Sequence, residues 1–230
     1  MIPPLIVRRA LELALGIIAI TDHNSAENVA AVIEAAKGFD LAVLPGMEVQ
    51  TREEVHLLCL FDSVQQALDW QEFVYAHLPA LKNNESLFGP QFVVDASGEL
   101  IGCNDRLLLT STSLSVEQVA QEIEQRGGLC IAAHVDRPAF SLLANLGFVP
   151  ENVPFSAMEI TRYTPWQVLQ EQHPSLSRFS FIRSGDAHQL SEMCDNTIFT
   201  LHEPTLAEIA MALRRQDGRR VKIVGNGHHT

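Results

Sequence analysis

Histidine, aspartate and glutamate recur beside short apolar runs in this sequence. Five segments carry them: Thr21-Asp22-His23-Asn24, Gly46-Met47-Glu48, Val55-His56, Ala133-His134 and Gly185-Asp186-Ala187-His188. Imidazole nitrogens and carboxylate oxygens together suit Zn, Mn or Fe, and a carboxylate such as Glu48 can bridge two metal ions. One such histidine alone is more often an ordinary hydrogen-bonded residue. The recurrence in five similar settings predicts a site for more than one metal ion.

The residues around these segments predict alternating strands and helices. Eight runs have strand length and are rich in apolar, β-branched or aromatic residues: 17–20, 41–44, 55–61, 129–133, 157–161, 179–183, 197–201 and 221–224. In a barrel of parallel strands, the carboxyl ends of the strands open on one face, where active sites are built. The five segments are therefore expected to converge on one face of an α/β barrel.

Capping residues predict where several helices begin. The predicted starts are Ser25, Ser115 with Gln118, Thr205 with Glu208, and Thr164 before Pro165. The first element is a helix over 3–15 with no strand before it, which is unusual for a series of strand and helix units. A hairpin over 92–102 belongs to an insertion at about 79–112, which we interpret as a lid or a dimer contact.

Size and charge limit the classes of protein that fit. A chain of 230 residues with 47% hydrophobic residues fits one domain over 1–230. Sixteen Lys and Arg against 28 Asp and Glu give a net charge of −12, which repels phosphate backbones. We therefore expect no duplex nucleic acid and no membrane surface as partners. A small phosphorylated substrate would need positive charge from metal ions.

Cysteine spacing and hydropathy indicate the compartment. Four cysteines stand far apart without a C-x-x-C pair, two of them among apolar neighbours: Cys59, Cys103, Cys130 and Cys194. Free thiols in a reducing environment are favoured over disulfides. No apolar run is long enough to span a bilayer. The sequence predicts a cytoplasmic protein.

The five segments, in their order and spacing, resemble motifs two to five of the PHP family, named for polymerase and histidinol phosphatase. The matching residues are Ile-Thr-Asp22-His23-Asn, Pro-Gly-Met-Glu48-Val, Val-His56-Leu-Leu, Ala-Ala-His134 and Ser-Gly-Asp186-Ala-His188. The resemblance implies a distorted (β/α)7 barrel and phosphoester hydrolysis. It also implies up to three divalent metal ions at the carboxyl ends of the strands.

The resemblance assigns a role to each matching residue. Glu48 is similar to the bridging carboxylate, and His56 and His134 to the other protein ligands of one metal. Asp186 corresponds to a ligand of a second metal, and His23 and His188 correspond to ligands of a third. The remaining histidines are given no role: His77, His173, His202, His228 and His229.

Residues near the metal ligands are candidates for catalysis. Asp22 is expected to orient His23, which could act as an acid or base only when it is not bound to metal. Arg137 follows His134 by three residues. It could clamp a phosphate oxygen, or it could form an ion pair with Asp136 or another acid.

The sequence departs from the family at its start. PHP members normally open with a strand that ends in His-x-His, and no histidine precedes His23 here. We therefore expect a barrel without its first strand, and fewer metal ions than the family binds, one or none. The exposed edge at 17–20 would be covered by N-terminal residues, by the 79–112 insertion or by another chain in a homo-oligomer.

The leading prediction is a metal-dependent phosphoesterase. Its substrate would be a small phosphorylated metabolite, a nucleotide or an oligonucleotide end, attacked by a metal-activated hydroxide. One alternative is a related hydrolase of amides or lactones, although no lysine follows a mid-barrel strand as a bridging ligand would. Another alternative is a degenerate PHP domain that serves as a non-catalytic binding or oligomerisation module.

Overall fold

The computed structural model describes residues 1–224, so His228 and His229 lie outside the described part. Its ten strands, β1 to β10 in chain order, are Ile17–Ile20, Ala42–Gln50, His56–Leu60, Phe92–Val94, Leu100–Cys103, Leu129–Ala132, Ala157–Glu159, Phe181–Ile182, Thr197–Thr200 and Arg220–Ile223. Its eight α-helices, α1 to α8, are Pro3–Glu12, Val29–Ala35, Val64–His77, Glu85–Phe88, Val116–Gln125, Leu142–Leu146, Trp166–Gln172 and Leu206–Leu213. No helix within 1–224 is long and apolar enough to cross a bilayer.

Six strands form the central sheet in the order β1-β2-β3-β6-β7-β8. The pairs β1 with β2, β6 with β7, and β7 with β8 are parallel. Strand β3 runs antiparallel to both of its neighbours, β2 and β6. The expectation that every strand runs in one direction is therefore wrong for β3. Because β3 is reversed, its amino end lies at the same end of the sheet as the carboxyl ends of the other strands.

The sheet is curled but open, and β1 and β8 are its edges in the described part of the chain. Residues of both edge strands line a cavity of about 1650 Å³. Apolar side chains contribute to its wall, among them Ile18, Leu44, Ile131 and Phe199. The fold is mixed α/β with a curled sheet, and the finer expectation of a (β/α)7 barrel is not established.

Helices α3 and α5 cover one face of the sheet and complete the main core. Trp70 and Val74 of α3 and Ile123 of α5 are buried together with Met47 of β2 and Leu57 of β3. Burial of each such large apolar side chain contributes roughly 1.5–3 kcal/mol of stabilisation. The core therefore fixes β2 and β3, which carry two of the predicted ligands.

The local predictions of helix ends are confirmed in part. Ser115 and Gln118 form the predicted capping box at the start of α5. Thr205 caps α8, but the Glu208 carboxylate accepts the His202 backbone N–H instead of closing a box. The predicted Ser25 cap is wrong, because α2 begins only at Val29.

Two antiparallel strand pairs lie outside the central sheet in the described part of the chain. Strands β4 and β5 form the predicted hairpin, in which the Asp95 carboxylate accepts the N–H groups of Ser97 and Glu99. Asn28 ties this hairpin to the segment after β1 by hydrogen bonds to the Phe92 carbonyl and the Val94 N–H. Strands β9 and β10 form the second antiparallel pair, with α8 between them in the chain. The hairpin of β4 and β5 lies beside the cavity, which Phe92 and Val94 help to line.

Candidate metal centre

Glu48 lies at the centre of a buried cluster of imidazoles. Its Oε1 is 2.8 Å from His56 Nδ1 and 3.2 Å from His134 Nε2, and its Oε2 is 3.6 Å from His23 Nδ1. Burial opposes a charge on Glu48, but the hydrogen bonds from His134 and His56 outweigh it. They hold the Glu48 pKa well below its usual range. The cluster therefore contains a charged carboxylate surrounded by three imidazoles.

Strand pairing brings these four residues together. β2 extends through Gln50, so Glu48 lies inside the strand and not just past its end as expected. His23 follows β1, and the backbone of 22–24 continues the parallel ladder alongside Glu48. His56 is the first residue of the reversed strand β3, and His134 follows β6. All four residues therefore meet at the end of the sheet where the carboxyl ends of β1 and β6 lie beside the amino end of β3.

Asp186 and His188 lie beyond the opposite edge strand, β8, and line the same cavity as His23 and Glu48. The His188 ring centroid is 5.8 Å from that of His23. His188 Nδ1 is 3.8 Å from Asp186 Oδ1, and the His188 side chain is mostly exposed. The structure thus places a second pair of candidate ligands in the same cavity, with His188 beside His23.

Of the two remaining predicted residues, Asp22 contacts a residue other than the one expected, and Arg137 makes one of its two expected contacts, an ion pair with an acid. The Asp22 carboxylate accepts a hydrogen bond from Asn28 Nδ2 at 3.2 Å, and no hydrogen bond to the His23 ring is present within 1–224. Arg137 Nη1 donates to Asp186 Oδ2 at 2.6 Å. Arg137 is therefore in an ion pair with an acid, and that acid is a candidate metal ligand. Asp136, the other expected partner, instead binds the Thr161 N–H and hydroxyl.

Sequence reasoning missed Glu159, the last residue of β7. Its carboxylate is buried and accepts the His134 backbone N–H at 2.9 Å and the Ser184 hydroxyl. Burial raises the pKa of Glu159 to about 7. A carboxylate inside an otherwise apolar predicted strand, 157–161, was the available signal.

Phe140 was also missed. Its ring stacks on the His56 ring with centroids 4.9 Å apart, and its carbonyl oxygen accepts the His56 backbone N–H at 3.0 Å. No pattern in the sequence places this residue near the site. The loop after His134 therefore covers one side of the His56 imidazole.

The donor set fits a divalent metal ion. Ligand atoms of His23, Glu48 and His56 all lie within 4.8 Å of one another. Within 1–224, His56 Nε2 and His134 Nδ1 are buried without a hydrogen-bond partner, which is costly for a polar atom unless something binds it. Burial lowers the pKa of His23, which favours the neutral imidazole that a metal requires. His23, Glu48 and His56 thus form a compact group. The family resemblance implied Glu48, His56 and His134 as ligands of one metal, so His23 here takes the position expected for His134.

We expect metal affinity to rise with pH. Burial opposes a charge on His134, but the hydrogen bond and charge of Glu48 outweigh it and raise the His134 pKa above 6.5. A metal ion and protons compete for the same cluster, so binding should release protons and should strengthen as pH rises through that pKa. Isothermal titration calorimetry with Zn²⁺ at pH 6.5 and at about pH 8, in two buffers of different ionisation enthalpy, measures both effects. Equal affinity at both pH values with no proton release would contradict this expectation.

Comparison with known proteins identifies the fold. No model of a known protein family and no curated protein matches the chain. The lesion-specific endonuclease EndoQ from Pyrococcus furiosus matches with a TM-score of 0.64 and 17% identity over 96% of this chain. A protein from Bifidobacterium adolescentis, provisionally named a metal-dependent phosphoesterase, matches with a TM-score of 0.56 and 17% identity over 82% of each chain. This chain covers 53% of the EndoQ chain, so it spans about half the length of that protein.

One comparison corrects the expectation about partners. Endonuclease Q in complex with a 27-mer duplex carrying an abasic lesion matches with a TM-score of 0.59 and 15% identity, over 94% of this chain and 52% of that one. The expectation of no duplex nucleic acid, drawn from the net charge of −12, conflicts with this finding. Net charge is a poor guide here because a phosphate backbone meets the local field at a site and not the total charge. The likeness shows that this chain has the fold of an endonuclease and of a protein named a metal-dependent phosphoesterase.

Proposed function

We propose that this chain is a metal-dependent phosphoesterase. The observation that carries the proposal is the charged Glu48 carboxylate with three imidazoles around it, where Glu48 and His23 line a large cavity. The motif resemblance to the PHP family supports phosphoester hydrolysis over hydrolysis of amides or lactones. The shared fold with EndoQ and the phosphoesterase-named protein supports a hydrolase.

The residues of the cluster divide into two groups. His23, Glu48 and His56 would hold one divalent ion, and Asp186 with His188 would hold another in the same cavity. When bound, such ions lower the pKa of a coordinated water and neutralise phosphate oxygens. His134 contacts Glu48 Oε1 at 3.2 Å, so it would orient that carboxylate and is a further candidate ligand of the same ion. Phe140 shields the His56 ring from water on one side.

Arg137 neutralises Asp186 in the metal-free chain through their ion pair. A cation bound to Asp186 would replace this interaction, since both compete for the same carboxylate. The freed guanidinium then lies beside the cavity with part of its surface exposed. Its planar pair of N–H donors suits bidentate binding of a phosphate oxygen pair. Arg137 is thus assigned to substrate binding.

Hydrolysis of a phosphoester panel tests the proposal. The chain is assayed with Zn²⁺, Mn²⁺ or Fe²⁺ against p-nitrophenyl phosphate, bis(p-nitrophenyl) phosphate, a nucleotide and a duplex with an abasic site. We expect metal-dependent hydrolysis of at least one of them, with loss of activity on addition of a chelator. Bound metal without hydrolysis of any phosphoester would contradict the proposal and favour a binding module.

A further inference from the structure

We infer that Glu159 is a positioning residue that holds two ligand-bearing turns in place, an inference that rests on the proposed function. β7 lies between β6 and β8 in the sheet, and Glu159 is its last residue. Its carboxylate therefore reaches the turn after β6, which carries His134, and the segment after β8, which carries Asp186. Only 3% of Glu159 is exposed.

Both carboxylate oxygens of Glu159 bind a turn. Oε2 accepts the His134 N–H at 2.9 Å, and Oε1 accepts the hydroxyl of Ser184, two residues before Asp186. The backbone carbonyl of Glu159 also accepts the Val135 N–H at 2.8 Å. Glu159 thus binds the main chain on both sides of the His134 Cα and the side chain just ahead of Asp186.

The two ligand residues need such support because of their backbone conformations. His134 has φ of 30° and Asp186 has φ of 45°. Residues with a β-carbon seldom adopt positive φ, and such conformations persist only where surrounding contacts hold them. The hydrogen bonds that one buried carboxylate accepts from both turns supply contacts of this kind. Their loss should let both turns relax and move the candidate ligands apart.

Glu159 is assigned to positioning and not to direct metal binding for a geometric reason. Its two oxygens already accept hydrogen bonds from His134, after β6, and Ser184, after β8. It is also absent from the compact group of ligand atoms formed by His23, Glu48 and His56. Its influence on a metal ion therefore passes through His134 and Asp186.

Zn²⁺ affinity of substituted chains tests the inference, measured by competition with a chromophoric chelator. Glu159→Ala removes both hydrogen bonds and should weaken Zn²⁺ binding about 10–100-fold, the usual effect of losing a residue that orients metal ligands. Glu159→Gln should bind Zn²⁺ nearly as tightly as the unsubstituted chain. Its amide oxygen can accept the His134 N–H, and its amide nitrogen can donate to the Ser184 hydroxyl oxygen.

Glu53→Ala is the matched control. The Glu53 carboxylate also accepts a backbone N–H, from Val116 at 3.1 Å, but at the start of α5. This variant should leave Zn²⁺ affinity unchanged. Circular dichroism establishes that each variant is folded. If Glu159→Ala does not fold, Ser184→Ala removes one of the two side-chain bonds and should still weaken Zn²⁺ binding.

The outcomes separate the inference from the proposed function. Absence of Zn²⁺ binding by the unsubstituted chain would overturn the proposed function. Zn²⁺ binding that is unchanged by Glu159→Ala, or by Ser184→Ala where that variant replaces it, would overturn only the positioning role. A Glu159→Gln variant as weak as Glu159→Ala would also overturn it, because the charge and not the pair of hydrogen bonds would then matter.

Discussion

Glu48→Gln is expected to reduce metal affinity by more than about 100-fold, because loss of a residue that only orients ligands already costs about 10–100-fold. Glu48 supplies the charged oxygen of the compact group, and a neutral amide lacks that charge. Its Oε1 also binds His56 and His134, so the substitution disturbs two further candidate ligands. Two measurements test this expectation. One is the metal content after dialysis against Zn²⁺, determined by mass spectrometry, and the other is the rate of phosphoester hydrolysis.

Glu53→Gln is the control for this experiment. Glu53 is a carboxylate on the loop between β2 and β3, outside the cluster, where it accepts the Val116 N–H. This variant should retain metal and activity. Stoichiometric metal in Glu48→Gln with unchanged affinity would remove Glu48 from the site and, with it, the basis of the proposed function.

Trp70→Ala is expected to lower the free energy of unfolding by about 3–5 kcal/mol, the usual cost of deleting a fully buried aromatic side chain. Trp70 is completely buried on α3 and stacks on Phe73 with centroids 5.3 Å apart. The Arg126 guanidinium lies 5.5 Å from its ring. Since domains are stable by only about 5–15 kcal/mol in total, this variant should be close to unfolding. Urea denaturation followed by circular dichroism measures the change.

The other tryptophan, Trp166, is the matched control. It is only partly buried and packs beside Phe181 with centroids 5.9 Å apart. Trp166→Ala removes the same side chain from a half-exposed position, so it should cost clearly less than Trp70→Ala. Equal losses for the two variants would contradict the placement of Trp70 at the centre of the core.

Much of the site could be predicted because its chemistry lies in residue types at strand ends. Short apolar runs identified β1, β6 and β8, and the residues that follow them include His23, His134 and Asp186. The structure places all three around one cavity and its adjoining cluster. Glu159 was missed because a single carboxylate in an apolar run has no distinctive spacing, and its importance comes from partners in the turns after β6 and β8.

The ion pair between Arg137 and Asp186 was also beyond the sequence. The two residues are far apart in the chain, and Arg137 had a nearer acid in Asp136. Only the packing of β6, β7 and β8 side by side brings the Arg137 guanidinium to Asp186 and turns Asp136 toward Thr161. Choice among several acids depends on distances that residue order does not contain.

The sequence by itself determined the candidate ligands, most of the strands and the cap of α5, because these depend on residue type and on neighbours within a few positions. Only the tertiary structure decided that β3 runs antiparallel and that Glu48 lies inside β2. Strand direction depends on which distant segments pair and on the core they bury. Reversal of β3 is what brings His56, at its amino end, to the edge where Glu48, His23 and His134 meet.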